Sequence, residues 1–180
     1  MASITITEAL AEIKTIGKRI EKKRQFIGQY LVRQEIVKDP LTNQGGSMAA
    51  LKAEAQGIAD LEERLIGLRR GIAKVNATVT LAVCGTERTI GDWLTWRREV
   101  APGRKSALVN LRQTLINFRT QQQAKGMTLR TEPSADPTDK DLIVNVDERA
   151  LATDAEKIEE VLGTLDGLLS LKNATTTFDV

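Results

Sequence analysis

The side chains that could do chemistry are few. The chain of 180 residues has no histidine and one cysteine, Cys84. That removes the usual general base and the commonest metal ligand. A single cysteine permits no intrachain disulfide, so the fold must work reduced. Carboxylates cluster at Glu62-Glu63, at Glu159-Glu160 and at Asp136, Asp139 and Asp141. Each cluster reads as a solvated helix face or loop. The aspartate trio also lacks the glycine and the distal glutamate of a calcium loop. Cys84 falls in a strand-turn and reads as packed and inert, because a nucleophilic thiol would want a base that this chain lacks. Gly45-Gly46 lies in a short polar loop with no strand before it, so it is not a phosphate-binding loop. No catalytic residue, cofactor or metal is expected, and the chain reads as non-enzymatic.

The remaining chemistry is that of contact. Trp93 and Trp96 lie three apart, hence on one helix face, and Arg97-Arg98 follow. Tryptophan and arginine are the preferred anchors of protein interfaces. The competing reading is that the two rings plug the base of a helical hairpin against a β elbow. Lys18-Arg19 and Lys22-Lys23-Arg24 make the first helix basic. Nucleic-acid binding wants such cations with stacking aromatics or a groove-reading helix. Phe26 and Tyr30 are near, but on or beside the apolar side. The interface candidates are therefore Trp93, Trp96, Arg97, Arg98, Lys22, Lys23 and Arg24, and nucleic acid is not the expected partner.

Net charge is +2, yet it is unevenly placed. Residues 1–131 carry 22 Lys and Arg against 12 Asp and Glu, whereas residues 132–180 carry 4 against 12. Either the acidic part folds back on the basic part, or one copy stacks on the next through charge. Complementarity of either kind sets partner choice more than affinity.

The elements that position these groups are long amphipathic helices. From Leu51 to Val79 the apolar residues are Leu51, Ile58, Leu61, Leu65, Leu68, Ile72, Val75 and Val79, a heptad seam interrupted only by Glu54. Such a seam needs a partner helix. Helix 1, begun near Thr7 by a Thr5/Glu8 capping box, is expected to run to about Lys38 and stop at Asp39-Pro40. Its face is Ala9, Ile13, Ile16, Ile20, Ile27, Tyr30 and Val37, broken by Lys23 and Gln34. Ser47 is placed to cap helix 2. Residues 78–90 read as a small β-hairpin. Helix 3 begins near Asp92, should kink or break at Pro102 and ends near Gly126. Residues 127–130 and 142–146 read as a second β-hairpin, followed by an acidic helix over about 148–171 and a β-prone tail, 173–180.

Asn76-Ala77-Thr78 and Asn173-Ala174-Thr175 end two of these helices in the same words. The echo implies helices ending at one level and feeding neighbouring strands, with asparagine in the left-handed conformation that ends helices. Both triplets match the N-glycosylation pattern, but no secretory signal precedes them and no run is long enough to span a membrane.

A basic hairpin, Asn-Ala-Thr, Gly-Thr-x-x-Thr-Ile-x-Asp-Trp-Leu-x-x-Arg, a helix and a C-terminal Leu-Asp-x-x-Leu with a later Asn follow one another here. The carrying residues are Asn76, Gly85, Thr89, Asp92, Leu94, Arg97, Leu165, Asp166 and Asn173. This order resembles the septicolysin-like family of small helical proteins, from about residue 50 onward. The strands at 127–146 and the length of helix 3 depart from its pattern. The family name implies a cytolysin, but nothing in the chain looks membrane-inserting. Similar reading frames occur among bacteriophage proteins, and the resemblance thereby implies a virion part.

The expected fold is mainly α: a long antiparallel coiled-coil hairpin plus two further helices, with a small β element at one end. Residues 1–90 form the basic hairpin and β elbow. Residues 91–180 form a helix, a β-hairpin and the acidic C-terminal helix. The expected function is that of a structural or assembly protein, a bacteriophage capsid or tail accessory component. The alternative is a soluble binding module or chaperone for a protein or nucleic-acid partner. Partners are the chain itself or other virion proteins, with no membrane. The place is the virion if the protein is phage-encoded, otherwise the cytoplasm.

Overall fold

A computed structural model describes residues 3–179. They are mainly helical with small strands. In order they form β1 (Ser3–Thr5), α1 (Ile6–Gln29), a 3-10 turn (Thr42–Gln44), α2 (Ser47–Thr78), β2 (Thr80–Val83), β3 (Thr86–Thr89), α3 (Ile90–Thr95), a π-helical turn (Trp96–Val100), α4 (Ala101–Ala124), β4 (Thr128–Arg130), β5 (Asp141–Ile143), α5 (Glu148–Thr175) and β6 (Thr177–Asp179). The strands make three separate pairs rather than one β element. Val180, the end of the β-prone tail, lies outside the described residues. Two compact units emerge, Met1–Val79 with Leu169–Val180, and Thr80–Leu168. The elbow strands therefore belong with the second unit and the last strand with the first.

In the first unit Thr5 caps α1 through a capping box. Its hydroxyl accepts from the Glu8 amide at 3.2 Å, and the Glu8 carboxylate accepts from the Thr5 amide at 2.8 Å. Ala9, Ile16 and Ile20 of α1 and Leu68 of α2 are buried in one cluster, with Ile13, Ile58, Leu61, Leu65 and Ile72 packed against it. Their intervals of three and four put them on one side of each helix. Arg64 grips Glu12 at 2.8 Å and Lys23 meets Glu54 at 2.8 Å, so the two helices run in opposite directions. Ile4 and Phe178 join the same cluster from β1 and β6, where they pair directly in an antiparallel register. Gly71 permits this, because a Cβ there would collide with the Phe178 ring.

Each of the two charges that interrupt the apolar faces, Lys23 and Glu54, satisfies the other, with both side chains 30% exposed. Removing one leaves the other half-buried and unpaired; replacing both with leucine extends the seam. Lys23→Leu alone should lower stability by on the order of 1 kcal/mol, and the Lys23→Leu/Glu54→Leu double variant should recover it or exceed it. Thermal melts of Lys23→Leu, Glu54→Leu and the double variant check this. A double variant no better than the singles would show that the pair itself is needed.

α1 ends at Gln29, not at Lys38. The Glu12–Arg64 and Lys23–Glu54 contacts set a register in which Gln29 lies opposite Met48, at the very start of α2. A longer α1 would have had nothing to pack against, and most helical stability comes from packing. Val32, Ile36 and Val37 also disfavour a bare helix.

Ser47 does not cap α2. Asp39 does, from eight residues upstream: its carboxylate accepts from the Ser47 amide at 2.7 Å, the Ser47 hydroxyl at 2.6 Å and the Leu41 amide at 2.9 Å. Gly46 stands between them at φ 90°, ψ 160°, a conformation that is essentially glycine's alone. The hydrogen bonds from Ser47 and Leu41 hold the Asp39 carboxyl at about 2, below its ordinary 3.8. A lowered folded value means a contribution present above the unfolded pKa and lost as pH falls through the folded one. The Ser47 and Leu41 amide resonances should therefore titrate together with a midpoint near 2. Midpoints near 3.8 would show that the carboxylate does not hold them.

In the second unit β2 and β3 form a hairpin, with Val83 opposite Thr86. Cys84 (φ 46°) and Gly85 (φ 79°) make its two-residue turn, as a primed hairpin turn requires. Cys84 is therefore exposed at a hairpin tip rather than packed. Thr89 caps α3, accepting from the Asp92 amide at 3.1 Å. Pro102 does not break the run that follows. The turn before it widens to π geometry, with the Ala101 amide donating to the Trp96 carbonyl, and helix continues through Ala124. The widening accommodates a ring that cannot donate and that crowds the preceding turn.

β4 and β5 pair in parallel, Thr128 with Asp141 and Arg130 with Ile143, and so do not form a hairpin. The intervening ten residues, 131–140, hold Pro133 and Pro137 and carry the chain back to start β5 in the same direction as β4. Asp141 fixes the return: it accepts from the Thr138 amide at 2.9 Å and from Arg130 at 3.0 Å. The Thr138 and Arg130 hydrogen bonds hold its carboxyl below the usual range.

α2 and α5 do end alike. The Thr78 hydroxyl donates to the Lys74 carbonyl and the Thr175 hydroxyl to the Leu171 carbonyl. The next amides, of Val79 and Thr176, close the last turns. Neither asparagine is left-handed, since Cys84 is the sole non-glycine at positive φ among the described residues. The strands they feed are not neighbours: β2 pairs with β3, and β6 with β1.

Candidate interaction surfaces

Trp93 and Trp96 share a face, but chiefly as packing. Trp93 is 3% exposed, and its Nε1 donates to the Leu81 carbonyl at 3.0 Å. Trp96 stands edge-on to it, with ring centroids 5.5 Å apart and planes at 89°. The Arg88 guanidinium covers Trp93 at 5.1 Å. Arg97 reaches Asp166 of α5 at 3.1 Å. Arg98 pairs with its neighbour Glu99 and is the most exposed of the four. Thr89, Asp92, Arg97 and Asp166, which carry the family resemblance, all make structural contacts: two at the α3 cap, two in this ion pair.

Two of the three α1 cations singled out as interface candidates are engaged within their own unit. Lys23 binds Glu54, and Arg24 binds Glu62 at 3.2 Å. Lys22 is exposed beside Arg19, Phe26 and Lys23, on an open depression of about 320 Å³. Phe26 and Tyr30 contact each other, with centroids 4.8 Å apart, and neither ring is fully exposed.

The acidic α5 meets basic residues of α4 and the π turn. Lys105 pairs with Glu159 at 2.5 Å, Arg119 with Glu148 at 2.8 Å, and Arg97 with Asp166. The charge asymmetry is thus partly satisfied within the second unit. Glu62 and Glu159, from the carboxylate pairs, are held by Arg24 and Lys105. Among the described residues no three metal-ligating side chains converge.

Two apolar surfaces escaped the sequence reading. The first is the connection after α1, where Leu31, Val32, Ile36 and Val37 are exposed together with Met48, Ile36 to 93%. Reading helix 1 through to Lys38 hid it. The second is α4. It carries Leu108, Val109, Leu111, Leu115, Ile116 and Phe118, yet only Ala101, at its first position, is buried. Leu108 and Ile116 line a groove beside α5 residues Leu151 and Ala155. Leu111 and Phe118 look elsewhere and are 55% and 42% exposed. With Thr114, Leu115, Val146 and Leu151 they line a second groove of about 200 Å³ in which Thr114 is the sole polar residue.

No protein-family model, characterised protein or solved structure matches the chain. The functional reading therefore rests on these surfaces.

The sequence did hold a signal for the α4 surface. Leu108, Leu111, Leu115 and Phe118 do not share one face: a 3.6-residue period splits them into a stripe at 108, 112, 115 and 119 and another at 107, 111, 114, 118 and 121. The first holds Arg112 and Arg119, which reach Glu148. The second, Ala107, Leu111, Thr114, Phe118 and Gln121, has no charge and is exposed at every position.

Proposed function

We propose that the chain is a non-enzymatic structural or assembly protein that works by laying helix faces against other protein. The observation that carries this reading is α4, a 24-residue helix with six large apolar side chains of which none is buried. Exposed apolar stripes on soluble proteins mark sites of association. The resemblance of its motif order to the septicolysin-like family supports a place in a bacteriophage virion as a capsid or tail accessory part. For α1 and α2 we propose the finer description, a heptad coiled-coil hairpin. The alternating three and four intervals of Ile58, Leu61, Leu65, Leu68 and Ile72, opposite Ala9, Ile13, Ile16 and Ile20, support it.

The test is the absolute mass of the purified, untagged chain by light scattering at low and high salt. A discrete oligomer at both is expected, because an uncharged apolar contact is not screened. A monomer at every salt and concentration would overturn self-assembly.

One observation favours a second reading, a binding module. Leu31, Val32, Ile36, Val37 and Met48 are exposed, with Arg33 and Lys38 beside them. A partner held there through the two cations would be released by salt, and that dependence separates the two readings.

A further inference from the structure

We propose that the uncharged stripe of α4 seats a second copy of this chain, whose own α4 lies antiparallel on it with the two-fold axis at Thr114. This rests on the assembly reading and names its partner.

The stripe is spaced as a helix–helix seam: Ala107, Leu111, Thr114, Phe118 and Gln121 follow one another at intervals of four, three, four and three. A two-fold axis requires a surface complementary to itself. About Thr114, Leu111 of one copy lies beside Phe118 of the other, and the small Ala107 lies beside the long Gln121. Large meets large at the centre, and small meets long at the ends.

Charge selects the direction. α4 has four cations, Arg104, Lys105, Arg112 and Arg119, and no acid. In the antiparallel arrangement their levels coincide with Ala124, Gln123, Ile116 and Val109 of the other copy, all uncharged. In a parallel arrangement each cation would sit level with its own image; Lys105, Arg112 and Arg119 are partly neutralised by Glu159 and Glu148, so the repulsion would fall chiefly on Arg104. A nucleic acid or an acidic peptide would find no cation on the stripe itself.

Shape agrees. The groove lined by Leu111, Thr114, Leu115, Phe118, Val146 and Leu151 is about 200 Å³. An apolar cavity of about 150 Å³ already accepts a benzene molecule. The groove is thus wide enough for one aromatic ring, and about the axis the Phe118 ring of the second copy comes to its Leu111 end, an arrangement that is reciprocal.

The experiment uses the full chain with Cys84→Ser, so that an introduced cysteine is the only thiol. Thr114→Cys lies on the axis and faces its own image, so mild oxidation should give a disulfide-linked dimer at least tenfold faster than Gln113→Cys, which lies off the stripe. Leu111→Cys should not link to itself, but should link when mixed with Phe118→Cys. Phe118→Glu, an exposed position, should keep the far-ultraviolet helical signal, abolish the Thr114→Cys dimer and halve the mass. A discrete oligomer in which Thr114→Cys links no faster than Gln113→Cys would overturn the α4 seam and leave the assembly reading standing. Equal self-linking of Leu111→Cys and Thr114→Cys would overturn the antiparallel direction. A parent chain that stays monomeric throughout would overturn both the seam and self-assembly.

Discussion

Leu68→Ala should lower the stability of the chain by about 2–5 kcal/mol. Leu68 is 0% exposed and is the one residue of α2 fully enclosed in the cluster with Ala9, Ile16 and Ile20. Its loss removes the transfer free energy of the missing carbons and leaves a cavity. The cavity collapses poorly here, because its walls are two helices pinned across their length by Glu12–Arg64 and Lys23–Glu54. Against a total of about 5–15 kcal/mol, that is a large fraction. Ile66, two residues away and 45% exposed, is the internal control: Ile66→Ala should change stability little. Urea unfolding followed by far-ultraviolet circular dichroism is the measurement. Tryptophan emission would be the wrong probe, since both tryptophans lie in the second unit. A Leu68→Ala variant as stable as Ile66→Ala would mean that the α1–α2 cluster is not the core of the first unit.

Leu68 could be chosen from the sequence because its neighbours obey a strict three-and-four spacing, and a helical period reports the buried side without any coordinates. The same rule misjudged Lys23 and Glu54. Each looks like a defect in its own helix, and only the register between helices shows that one defect answers the other. Where α1 stops was not legible for a related reason. Its end is set by where α2 begins, a property of the pair and not of residues 30–38. The capping residue was equally non-local: Ser47 stands at the right place, but Asp39 reaches it across a turn made by two glycines at positive φ. The strand at 141–143 was visible and its direction was not, because three residues of ladder carry no record of parallel or antiparallel pairing. The pairing of β1 with β6 joins the two ends of the chain. No local pattern encodes a contact of that sequence separation. The α4 stripe was not legible because apolar residues on two adjacent sides of one helix give no single clean period, and which side α5 covers is not a property of the α4 residues alone.

The tryptophan pair posed the sharpest choice, since a spacing of three suits a core plug and a docking anchor equally well. Trp93→Ala separates them. Its indole is almost wholly enclosed, bonded to the Leu81 carbonyl, edge-on to Trp96 and covered by Arg88. Truncating a buried aromatic of this size costs about 3–5 kcal/mol. Trp93→Phe keeps most of the ring and loses the Nε1 donor, so its cost should be nearer 1 kcal/mol. Trp96→Ala should fall between neutral and Trp93→Ala, because Trp96 is only half-buried. Both tryptophans report on the second unit, so emission during urea unfolding follows the transition directly, with Trp96 as the remaining probe in the Trp93 variants. A docking anchor would behave the other way: Trp93→Ala would leave the unfolding midpoint in place and reduce the mass of the assembly under native conditions. A large loss of stability in Trp93→Ala, a small one in Trp93→Phe and an unchanged native mass for Trp93→Phe would together assign the ring to the fold. That would leave α4, with its exposed Leu111 and Phe118, as the surface of the second unit on which the assembly proposal rests.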